Sequence, residues 1–200
     1  MKTSLRAFLL LIALLPSTAF AHSGAGAAHG FEHGFLHPFG GVDHLLAMIA
    51  VGIFAAHLGG RALLLVPLSF LALMATGGAI GIAEVRLPYV EIAIALSVVT
   101  LGLFIALRTE MPGIAAALVV GAFALFHGHA HGAELPDGES PFPYTAGFLI
   151  ATALLHAAGI SFGISFEKLS ANAVAQRYVR AGGGAIALAG VFLLTRAVIS

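Results

Sequence analysis

After residue 36 the chain runs in six apolar stretches separated by short polar or Gly/Pro-bearing breaks. They fall near residues 38–58, 62–83, 88–107, 112–131, 144–165 and 182–199. Each is about the length that crosses a hydrocarbon core of ~30 Å. No stretch alternates polar and apolar positions with the period of two that a barrel strand needs. A backbone facing lipid must satisfy its own hydrogen bonds, so the stretches are expected to be helices. The predicted fold is all-α, a polytopic bundle of about six transmembrane helices. Gly77 and Gly81 form a GxxxG pair, and Gly182-Gly183-Gly184 opens the last predicted helix. Small residues let membrane helices approach closely, and we read these as packing positions rather than a dimer signature.

Ahead of these stretches lies a different pattern. Lys2 and Arg6 precede a short apolar run from Phe8 to Leu15, Pro16 breaks it, and Ala19-Phe20-Ala21 follows as a small-x-small cleavage site. Residues 1–21 therefore read as a cleaved signal peptide. An uncleaved first span is the alternative, but the run is shorter than the roughly 20 residues a span needs. The mature chain would begin at His22, outside. Residues 22–36, which carry His22, His29 and His33, are expected to be an external, Gly-rich, soluble lead-in, and residues 37–200 the membrane domain.

Positive charge then sets the orientation. With the mature N-terminus outside, Arg61, Arg108, Lys168, Arg177 and Arg180 fall on the cytoplasmic side, and only Arg86 and Arg196 outside. The reverse orientation would invert this balance against the positive-inside rule. Both mature termini are expected in the periplasm of a bacterial inner membrane. The charged segment from Glu167 to Arg180 reads as the largest inner loop.

Composition sharpens the class. Hydrophobic residues make up 60% of the chain and charged ones 9%, against about 25% charged in soluble domains. Formal net charge is zero, so no basic field attracts nucleic acid. Cysteine is absent, which removes disulfides, thiolate metal sites and cysteine nucleophiles. Ten histidines outnumber the nine lysines and arginines.

The polar residues gather toward one end of the predicted bundle. His37, Asp43 and His44 lie at the outer end of the first stretch, within HPFGGVDH. Glu84 ends the second stretch and Glu91 sits one turn into the third. His127, His129, His131 and Glu134 lie at the outer end of the fourth, and His156 in mid-membrane in the fifth. His57 is the exception, near the inner end of the first. An ionisable group in a membrane costs roughly 2.5 kcal/mol or more, so such a group pairs with another or binds a cation. His127 and His131 are four residues apart and share a helical face, which Glu134 continues; His129 points elsewhere. Pro38 suits a first helical turn, and Gly40-Gly41 permits a bend. If the helix breaks there, His37, Asp43 and His44 can meet around one ion; if not, His37 belongs to a separate outer contact.

Imidazole with carboxylate suits a borderline divalent ion such as Ni, Co, Zn or Fe(II). It is poor for Cu(I), and a hard ion would want mostly oxygen. The ligand list alone does not choose among the borderline metals. Each position also has a plainer reading. The His127–His131 pair can be a solvated helix end, His156 a core histidine bonded to a neighbouring helix, His57 an interfacial residue, and Glu84 a solvated terminus. Glu91 is harder to dismiss, because its turn is apolar on both sides.

HPFGGVDHLLAMIAVG (37–52) and FHGHAHGAELP (126–136) together closely resemble the two signature motifs of the HupE/UreJ family, hydrogenase- and urease-accessory membrane proteins regarded as nickel or cobalt permeases. LPYVE (87–91) and LLHAAGI (154–160) resemble further family segments, so the similarity covers essentially the whole mature chain. It implies metal-handling roles for His37, Asp43, His44, His127 and Glu134, and it supplies the nickel preference. His131 fills a more variable slot, so its role rests on the helical face. The full expected metal set is His37, Asp43, His44, Glu91, His127, His131, Glu134 and His156, with His57 at an inner exit. The ion would be cargo: no prosthetic group and no catalytic residue is expected. No GxxxxGK[ST] motif occurs, which argues against ATP hydrolysis. The expected partners are a divalent transition-metal ion and the lipid bilayer, and a homo-oligomer is compatible with the sequence. Two rival readings remain at this stage, a membrane metallohydrolase or hydroxylase and a metal-binding accessory protein that does not transport. No HExxH supports the enzyme.

Overall fold

The computed structural model describes residues 27–168 and 173–199. The expected signal peptide, His22 and the start of the lead-in lie outside the described residues. The described chain is helical. α1 spans Ala27–Leu36, and a short 3-10 turn follows at His37–Phe39. Then come α2 (Val42–Leu58), α3 (Ala62–Ile82), α4 (Val90–Leu107), α5 (Gly113–Ala133), α6 (Pro141–Lys168) and α7 (Ala173–Ile199). Among the described residues, five helices are long and apolar enough to cross a membrane. A sixth span is formed if residues 30–39 and 42–58 count as one, bent by 79° at the glycines.

Three expectations are corrected. The lead-in expected as a soluble segment is helical and packed over residues 27–36, which form α1 against α6. Gly34 permits this, because a methyl group there would collide with the Tyr144 backbone, and Gly147 does the same for Phe31. The charged segment 167–180 is mostly helical, since α6 runs to Lys168 and α7 starts at Ala173. Hydropathy marks only the lipid-facing part of a helix, and Ala, Gln and Arg extend it well beyond that part. Gly182–Gly184 consequently lies inside α7 rather than at its start. There Gly183 and Gly102 bring α7 and α4 into backbone contact.

The helices assemble as pairs that are not neighbours in sequence. α3 packs chiefly on α5, α4 on α7, and α2 on α6. At the first of these seams an added Cβ at Gly77 would meet the Leu125 carbonyl, and one at Gly128 the Met74 carbonyl. Gly77 and Gly81 are thus packing positions, as expected from their spacing. Phe54, Phe70, Met48, Met74 and Leu101 fill the centre and are almost fully buried. This close α3–α5 contact holds the histidine face of α5 toward α2.

Candidate metal centre

HPFGGVDH breaks the helix. His37 starts the 3-10 turn with Pro38 second, and the Gly40 N–H closes it on the His37 carbonyl at 2.9 Å. Gly41 is extended (φ −105°, ψ 123°), and its carbonyl accepts the Leu45 N–H, which begins α2. Asp43 then sits in the first turn of α2, where a carboxylate favours the helix dipole. Its Oδ1 accepts from the His44 backbone N–H at 2.8 Å and from the His44 ring Nδ1 at 2.9 Å. A Cβ on Gly41 would lie 2.7 Å from that same Asp43 oxygen. The glycine therefore makes room for the Asp43–His44 pair.

His37 turns the other way. Its Nε2 lies 3.1 Å from Glu134 Oε2, and His131 Nδ1 lies 3.9 Å from the same oxygen. Donor atoms of His37, His131 and Glu134 fall within 4.8 Å of one another. Ligand atoms about 2 Å from a shared ion lie at most about 4 Å apart, so small side-chain movements would close this trio on a metal. Glu134 follows the end of α5, and the hydrogen bond from His37 holds its carboxyl below the usual carboxylate range, with burial opposing. It is thus held as an anion beside two imidazoles.

From this trio a chain of rings leads inward. The His131 ring is 4.7 Å from His37 and 4.1 Å from His44, and His44 is 4.8 Å from His127. His131 thus lies between the two halves of the motif, in ring contact with His37 and with His44. Tyr144 and Phe148 wall the outer part. Phe70 lies deeper, its ring 5.7 Å from His127 and 4.9 Å from His156. His127 and His156 are almost wholly buried. His44 Nε2, His127 Nδ1 and both ring nitrogens of His131 and of His156 are buried without a hydrogen-bond partner. Each neutral imidazole carries one nitrogen lone pair, and a buried lone pair without a partner can serve a cation.

The remaining expected residues fall elsewhere. Glu91 is exposed in the first turn of α4, and among the described residues no hydrogen bond or ion pair joins it to the histidines. Glu84 is exposed with φ +55°. His129 points away, as expected, with its Nε2–H donating to the Val85 carbonyl at 2.8 Å. His57, at the opposite end of α2, faces Glu167 Oε1 at 3.3 Å and Glu110 Oε1 at 3.5 Å, while Arg108 grips Glu167 through two bonds of 3.0 and 3.1 Å.

Two features escaped sequence reading. Ser97 of α4 lies 2.8 Å from His127 Nε2; a serine in an apolar helix gave no signal. His33 of α1 contacts Glu139. Its spacing of four from His37 was the available cue, hidden by taking the segment as soluble tail.

Comparison with known proteins now bears on these motifs. The sequence model of HupE / UreJ proteins matches residues 9–193. The chain belongs to the HupE/UreJ family. It is similar to Protein HupE of Rhizobium leguminosarum bv. viciae, with 49% identity over 180 residues, covering 90% of this chain and 92% of that protein. No solved structure matches it significantly. Family and helices together make it a multi-pass membrane protein, and both motifs that carried the resemblance lie at the histidine cluster of this HupE/UreJ chain.

Proposed function

We propose that this HupE/UreJ protein is an inner-membrane permease for Ni²⁺, with Co²⁺ as a second cargo, supplying hydrogenase or urease maturation. The observation that carries this reading is the convergence of His37, His131 and Glu134, continued inward by His44 and His127. Imidazole and carboxylate donors match a borderline divalent ion. The ion enters from the periplasm at His37, His131 and Glu134, with Glu134 and Asp43 offsetting its charge. Glu91 adds negative charge at the outer rim. His44 and His127 take the ion next, His156 is the deeper station beyond Phe70, and His57 marks the inner end. Both mature termini are periplasmic in this arrangement. Transport needs ligands that release as well as bind, so each station is expected to hold the ion modestly.

The deciding experiment is uptake by purified protein in liposomes with Ni²⁺, Co²⁺ and Zn²⁺ in competition. Saturable Ni²⁺ entry that Co²⁺ inhibits and that His131→Ala abolishes is the expected result. Tight binding in detergent with no entry into liposomes would replace the permease with a metal-holding accessory protein.

A further inference from the structure

The Ser97 hydroxyl has a single proton, and its position follows from its neighbours. Ser97 Oγ lies 2.6 Å from the Ile94 carbonyl, which can only accept, so the hydroxyl donates there. The same oxygen lies 2.8 Å from His127 Nε2. With its proton committed to Ile94, Ser97 can only accept from the imidazole. The proton of neutral His127 is thereby placed on Nε2, leaving the lone pair on Nδ1. That Nδ1 is buried and unpartnered, and the His127 ring stands edge-on to His44 with centroids 4.8 Å apart.

We infer that Ser97 is a positioning residue that sets the tautomer of His127, so that Nδ1 and not Nε2 receives the ion. The inference rests on the permease reading for its functional consequence, but not for the tautomer itself. Asp43 does the corresponding job for His44. Its carboxylate accepts from Nδ1 at 2.9 Å and leaves the buried Nε2 without a partner. The two imidazoles thus use different nitrogens, each fixed by a neighbour that itself need not touch the ion. Partners of this kind orient a ligand ring and raise its basicity. Ser97 is buried to 1% exposure, so no bulk water replaces it.

The test uses full-length protein in lipid nanodiscs with ¹⁵N-labelled histidine, the His127 signals assigned by their loss in His127→Gln. The wild type is expected to show a protonated Nε2 and an unprotonated Nδ1. Ser97→Ala should lose that single form, giving a mixture or the reverse tautomer, and Ser97→Thr should restore it, since threonine also donates to a preceding-turn carbonyl. In parallel, Ni²⁺ binding and liposome uptake by Ser97→Ala should weaken by about 10- to 100-fold with recovery in Ser97→Thr, the range typical of ligand-orienting partners. A wild-type protein with the proton on Nδ1 would overturn the inference. So would a shifted tautomer in Ser97→Ala with binding and uptake unchanged. If the wild type shows the expected tautomer and binds Ni²⁺ with Ser97 dependence but never transports it, the permease reading fails while Ser97 keeps its role.

Discussion

The two ends of α2 carry the same residue types arranged to opposite effect. At one end Asp43 and His44 meet His131, His37 and Glu134; at the other His57 meets Glu110, Glu167 and Arg108. His44 and His57 are 13 positions apart on one helix, roughly 20 Å along its axis. The difference is the resident cation. At the His57 end the Arg108 guanidinium forks Glu167, so a positive charge is built in. At the His44 end, among the described residues, no lysine or arginine pairs with Asp43 or Glu134, while several buried imidazole nitrogens have no partner. A cluster of histidines and carboxylates is therefore not a metal site by composition. On the reading proposed above, it serves as one where the protein withholds its own cation.

The strongest way to break this comparison is His131→Ala. His131 touches both His37 and His44, so its loss should lower Ni²⁺ uptake by at least about 100-fold, the upper end of what even ligand-orienting partners contribute. Uptake near the wild-type level in that variant would remove the bridge from the site. Gly128→Ala comes next. Its methyl group collides with the Met74 carbonyl at the α3–α5 seam, and overpacking of this kind costs about 1–3 kcal/mol. A lowered melting temperature in lipid, together with weaker Ni²⁺ binding as the histidine face shifts, is the expected pair of results.

Gly41→Ala is milder and more selective. The backbone there suits any residue, but the new Cβ would press on Asp43 Oδ1 and His44 Nδ1. Ni²⁺ affinity, measured by calorimetry, should fall about 10-fold with little change in thermal stability, because the Asp43–His44 pair orients a ligand ring. The smallest effect is expected from Arg108→Gln. Its partly exposed ion pair contributes about 1 kcal/mol or less. Stability should drop slightly, while the Ni²⁺ affinity of the outer cluster stays at the wild-type value. Extra Ni²⁺ bound per chain in Arg108→Gln would sharpen the comparison further, by showing that the arginine keeps the His57 end from taking the ion.

Much of the outer cluster was legible along the chain because its rules are local. His127 and His131 share a face through helical spacing alone, with Glu134 just past the end of α5, and Gly40-Gly41 are residues that permit a break. Whether the helix breaks there was left open, and the outcome combined both alternatives. The helix bends, yet His37 joins Glu134 and His131, while Asp43 stays with His44. Residues on α1 and α4 were harder to read. His33 reaches Glu139 across 106 positions and Ser97 reaches His127 across 30, and no short-range pattern encodes either contact. The length of α7 was misread for the opposite reason, since hydropathy follows the bilayer and helix propensity does not stop at its edge.

The sequence by itself determined the six apolar stretches, their helical character and the family, because each depends on neighbouring residues or on a motif read along the chain. Tertiary structure alone decided which helices pair, which histidine bridges the motifs, and which nitrogen of His127 is left open. Those outcomes depend on glycine seams between α3 and α5, α2 and α6, and α4 and α7. There, backbones approach closely only after distant parts of the chain have met, and the side chains beside them take their partners from that meeting.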